Sequence, residues 1–112
     1  MSEITEQHLN DHRSELQKVK DRAKALERLN LNPDFKTIVI DGFLKEDAAR
    51  FAQLSVDLEL TDEQRKDALG TAQASGYFKK YLHYIGLMGR QADSQIDQVD
   101  RELETIRIES GV

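Results

Sequence analysis

Three groups of residues have the types and spacing to do chemistry. His8 and His12 lie four apart on one face of any helix drawn through them, with Asp11 adjacent. Two imidazoles at that spacing can bridge a divalent cation. No HExxH pattern accompanies them, and His12 also occupies a position in an apolar repeat, so a register-setting or solvated role is expected and no metal. Asp93, Asp97, Asp100 and Glu104 form an acidic row at helical spacing, which could bind cations or work as acid/base pairs. Asp93 and Asp100 acquire basic partners in the helix pairing derived below, so a salt-bridged, solvated face is expected. The run from Gly76 to Tyr84 interleaves Tyr77, Phe78, Tyr81 and Tyr84 with Lys79, Lys80 and His83, a mixture that can stack on and neutralise single-stranded nucleic acid. On a helix the bases project away from the tyrosine stripe, so rings and charges do not converge on one groove. Core packing or a protein contact is expected there. No P-loop, GxGxxG, nucleophile elbow or Cys/His nucleophile constellation is present, and no catalytic residue and no cofactor is assigned.

The elements that position these groups are helices. Phe78, Leu82, Ile85, Gly89, Ala92, Ile96, Val99, Leu103 and Ile106 alternate spacings of four and three, the pattern of a helix that buries one narrow seam against another helix. The comparable repeat near the N-terminus is Leu9, His12, Leu16, Val19, Ala23, Leu26, Asn30. With 112 residues, 33% of them charged, one proline and no Trp, the chain reads as a single helical domain over residues 1–112. A net charge of −5 argues against broad nucleic-acid binding. The absence of Cys excludes disulfides, thiol catalysis and Cys-ligated metals. No stretch is apolar enough for a membrane span, so a soluble protein made in the cytoplasm is expected.

In chain order, Ser2 or Thr5 can cap a first helix over about 4–29, with Glu3 and Glu6 in its first turn. Asn30 to Pro33 form a stop and restart, with Asn32 as N-cap and Pro33 at N1. Phe35, Ile38, Val39, Gly42 and Phe43 then follow helical spacing, so a helix or kinked helix pair is expected over about 33–56, with Gly42 the weakest point. The rival is a strand at Thr37 to Ile40 entering an Asp41-Gly42 turn. Thr61 with Gln64 reads as a capping box opening a long helix over about 62–108, with Gly70 and Gly76 its weak points.

Antiparallel pairing joins positions whose numbers sum to a constant. A sum of 115 matches Leu9 with Ile106, His12 with Leu103, Leu16 with Val99, Val19 with Ile96, Ala23 with Ala92 and Leu26 with Gly89. The flank at 113 then sets Glu6 with Arg107, Arg13 with Asp100 and Lys20 with Asp93. Sliding one heptad brings Arg13 to Arg107 or Glu6 to Asp100. The expected architecture is all-α: an antiparallel helical hairpin forming a coiled-coil stalk, with the middle helix completing a three-helix head. In that head Phe35, Phe43 and Phe51 face Tyr81, Leu82 and Ile85.

Beside the seam, Leu87, Ile108 and part of the tyrosine stripe have no assured intrachain partner, and Tyr77, Tyr81, Tyr84, Leu87 and Met88 are the candidate partner-binding residues. The segments Leu29-Asn30-Leu31-Asn32-Pro33-Asp34-Phe35-Lys36 and Gly42-Phe43-Leu44-Lys45-Glu46-Asp47-Ala48-Ala49-Arg50, with the charged last helix, resemble small helical proteins of unassigned role encoded by tailed bacteriophages. The resemblance spans residues 25–108 and implies a setting, the virion or its assembly in the host cytoplasm, with no catalytic residues. A non-enzymatic structural or assembly protein is expected, acting on other phage subunits or on itself as a homo-oligomer. A small acidic regulator of a host or phage protein is the alternative.

Overall fold

The computed structural model describes residues 2–111, with side chains described from Thr5 onward. Among the described residues the chain is all-helical, without strands. α1 spans Ser2–Asn30, α2 spans Pro33–Phe35, a π-helical segment spans Lys36–Asp47, α3 spans Ala48–Leu54 and α4 spans Asp62–Ser110. The chain divides into two compact units, one of residues up to Leu26 together with those from Ile85 onward, the other Glu27–Tyr84.

The first unit is built on the four-three repeat. Ile85, Ala92, Ile96, Val99 and Leu103 of α4 are buried, and so is Leu16 of α1. Leu9 packs on the cluster formed by Leu16, Ala92, Ile96, Val99 and Leu103. Each large aliphatic side chain buried this way contributes about 1.5–3 kcal/mol. On the flank, Arg13 Nε meets Asp100 Oδ1 at 2.7 Å and Lys20 Nζ meets Asp93 Oδ1 at 2.7 Å. Both pairs sum to 113, so one partner's number falls as the other's rises. Glu6 and Arg107 are not among the ion pairs of the described residues. At the outer end of the row a half-buried Glu6 and an exposed Arg107, both long side chains, gain too little from pairing to be held together.

At Gly89 the backbone of α4 comes close to Ala23 of α1. A Cβ placed on it would stand 2.2 Å from the Ala23 Cβ. The sum rule pairs Gly89 with Leu26, but a position without a side chain lets the backbone sink between layers until the Ala23 methyl stops it. Val19 and His12 are exposed, so the N-terminal seam is buried less completely than its partner.

In the second unit, the Asn32 Oδ1 accepts from the Asp34 N–H at 2.9 Å and the Phe35 N–H at 3.1 Å, and Pro33 follows at N1. This is the cap its sequence calls for. Thr5 stands inside α1 rather than at its cap, and the side chains of Ser2 and Glu3 lie outside those described. The stretch containing Thr37 to Gly42 is helical, and the strand reading falls. Gly42 does not end the helix. A Cβ there would lie 2.9 Å from the carbonyl oxygen of Thr37, five residues back, so at this position the winding leaves no room for a side chain without a shift. Twelve residues of π-helix exceed the single-turn bulge in which this winding mostly occurs.

After α3 the chain turns, and the Asp57 carboxylate accepts the Glu59 N–H at 2.9 Å. The capping box forms reciprocally: Thr61 N–H donates to Gln64 Oε1 at 3.0 Å, and Gln64 N–H to Thr61 Oγ1 at 3.2 Å. α4 then runs through Gly70 and Gly76 without interruption. Among the described residues of this unit only Ala68 and Ser75 are buried. The Ser75 hydroxyl donates to the Phe43 carbonyl at 3.1 Å, which satisfies a π-helical carbonyl from outside the segment. The Phe43 and Phe78 rings meet edge-on with centroids 6.3 Å apart, a geometry worth about 0.5–1.5 kcal/mol beyond area. Phe43 therefore packs on Phe78, while Phe51 borders a shallow hollow with Leu54, Leu60 and Ala68.

Candidate interaction surface

The buried line of α4 passes through Ala68, Ser75 and Ile85, with Phe78 and Leu82 half-buried along it. Tyr77, Tyr81 and Tyr84 each precede a residue of that line by one position and are rotated from it by about 100°. They therefore stand beside the packed face: Tyr77 is 73% exposed, Tyr81 50% and Tyr84 55%. In the first unit Leu87 is exposed and Met88 half-buried. The second unit adds Leu31, Ile38, Val56 and Leu58, all well exposed. Isolated exposed apolar residues are commonplace, whereas these three rings share one side of α4.

The groups with chemical potential are dispersed. His8 and His12 are both exposed. His12 does not enter the seam opposite Leu103; it stands at the rim of an open hollow bordered by Leu9, Gln95, Gln98, Val99 and Glu102, where a polar ring keeps its hydration. Among the described residues no three His, Asp or Glu side chains gather closely enough to hold a metal ion. The acidic row is divided: Asp93 and Asp100 pair with α1, while Asp97 acts on Lys20 through its charge alone. Lys79, Lys80 and His83 are exposed. No helix among the described residues is long and apolar enough to cross a membrane.

Arg13 holds the Asp100 carboxyl below its ordinary value of 3.8, chiefly through the hydrogen bond it donates, while partial desolvation opposes the shift. The same bond raises Arg13, and the hydrogen bond to Asp93 raises Lys20. A carboxylate whose pKa is lowered on folding adds stability at pH values above its unfolded pKa, and this is lost as pH falls through the folded value. Stability measured by urea unfolding should therefore decline below about pH 4, and Asp100→Asn should flatten part of that decline. An unchanged decline in the variant would show that the pair does not persist in solution.

Two residues that organise the second unit gave only faint signals. Arg65 sits in the first turn of α4, where a cation faces the positive end of the helix dipole. It is stabilised by donating to the Asp57 carbonyl at 3.1 Å and to the Leu60 carbonyl, and by pairing with Asp62. Ser75 is a lone hydroxyl on an otherwise apolar line, and only the Phe43 carbonyl explains it. The chain matches no protein-family model, no curated protein and no solved structure.

Proposed function

We propose that the protein is a non-enzymatic structural or assembly component of a tailed bacteriophage, made in the host cytoplasm and acting by protein–protein association in the virion or in morphogenesis complexes. The observation that carries the association reading is the second unit's imbalance. Residues 27–84 bury only Ala68 and Ser75 among those described, yet present Tyr77, Tyr81 and Tyr84 in a row. A unit with so little core gains most by covering that row with another protein surface. The phage setting rests on the resemblance carried by Leu29 to Lys36 and Gly42 to Arg50. In this reading residues 1–112 are one helical domain: an antiparallel hairpin whose coiled-coil stalk carries the 113-sum ion pairs, with the middle helices completing a three-helix head. The test is quantitation of the chain in purified particles of a phage that encodes it. A fixed copy number is expected, falling at least tenfold with Tyr81→Asp. Complete, infectious particles assembled normally without the chain would refute the proposal.

A further inference from the structure

We infer that the tyrosine face of α4 pairs with the same face of a second copy, the two helices antiparallel about a twofold axis level with Lys79. This rests on the association reading above and names its partner. Gly70, Ala74, Tyr77, Tyr81 and Tyr84 repeat at spacings of four and three, and all five are exposed. Nothing lies within 4 Å of where a Cβ on Gly70 would stand. α4 thus carries a second seam, set about 100° from the buried one.

The seam is complementary to itself. Antiparallel copies aligned at a sum of 158 place Ala74 against Tyr84 and Tyr77 against Tyr81, each twice by symmetry. Ring meets ring at the centre and ring meets methyl at the ends, as an isologous interface requires. A slip to a sum of 165 sets Ala74 against Gln91, and a slip to 151 sets the Asp67 carboxylate against Tyr84, burying polar groups without partners. Parallel pairing sets Ala74 on Ala74 and Gly70 on Gly70, leaving voids between layers of stacked tyrosines. The area also suits a dimer. Six tyrosines of about 150–250 Å² each, half to three-quarters exposed, supply on the order of 500–900 Å². The Gln73, Lys80 and Leu87 side chains on the flank bring the total to the ~1,000 Å² that a specific interface needs. The two Lys80 side chains meet across the axis, where their stems pack and their charged heads turn to water.

The chain has no cysteine, so single cysteines at exposed lysines report the pairing directly. Lys80→Cys sits beside the axis, whereas two copies of Lys66→Cys stand roughly 40 Å apart at ~1.5 Å per residue. With a short bis-maleimide, Lys80→Cys should give a covalent dimer and Lys66→Cys none. Adding Tyr81→Asp to Lys80→Cys should cut the yield at least tenfold, with helicity by circular dichroism unchanged. Equal crosslinking at both positions would mean parallel pairing and overturn the inference. So would a monomeric mass at high concentration with no crosslink at position 80. A monomer whose incorporation into particles is still blocked by Tyr81→Asp overturns self-pairing alone, whereas incorporation indifferent to Tyr81→Asp overturns the association reading as well.

Discussion

Leu103→Ala should lower the unfolding free energy by about 2–5 kcal/mol, a large part of the ~5–15 kcal/mol typical of a folded domain. Leu103 is only 3% exposed and belongs to the cluster that joins Leu16 to Ala92, Ile96 and Val99. Few other buried side chains stand ready to fill the space it would leave, so the cavity term adds to the lost transfer free energy. Urea unfolding followed by helicity gives the value directly. Ile106→Ala, one turn further on and half-buried, should lose distinctly less. A cost below about 1 kcal/mol at Leu103 would place it outside the core.

Gly89→Ala should destabilise even though alanine is the better helix former. The added methyl would stand 2.2 Å from the Ala23 Cβ, so the two helices must separate or shift, at a packing cost of about 1–3 kcal/mol. Against this, alanine returns about 1 kcal/mol of helix propensity. Exchanging the pair, with Ala23→Gly added to Gly89→Ala, leaves total propensity and volume unchanged and should restore nearly all the loss. If the double variant is no better than Gly89→Ala alone, the two positions do not touch. Thermal unfolding of the four chains completes the cycle.

Much of this packing was legible because it depends on period and charge. The line Ile85, Gly89, Ala92, Ile96, Val99, Leu103 is the stretch of the predicted seam that the fold buries, and the Arg13–Asp100 and Lys20–Asp93 pairs follow from one sum. The Asn32 cap and the Thr61–Gln64 box are local and need no tertiary information. What the sequence did not disclose depends on how backbones meet. The π winding of Lys36–Asp47 looks like α-helix at the level of apolar spacing, and only the Thr37 carbonyl facing Gly42 reveals why glycine stands there. The edge-on contact of Phe43 with Phe78 is likewise set by how the backbones meet, which apolar spacing does not carry. His12 fits the seam by number but keeps to its rim, because spacing carries no information about what an imidazole loses on burial. Of the surface residues, Tyr77, Tyr81 and Tyr84 were readable as a stripe lacking cover, whereas Arg65 and Ser75 became intelligible only through the carbonyls they reach.

The claim that this chain works by association and not by chemistry is tested most directly by comparing two kinds of substitution in one assay. Tyr84→Ala and Leu87→Asp alter the exposed apolar surface, while His12→Ala and Asp97→Asn alter titratable groups with no buried role. Molar mass by light scattering and incorporation into particles should both fall with the first two variants and stay at the unsubstituted level with the second two. Loss of function in His12→Ala or Asp97→Asn, with folding and assembly intact, would contradict the account and locate a chemical site on the helices.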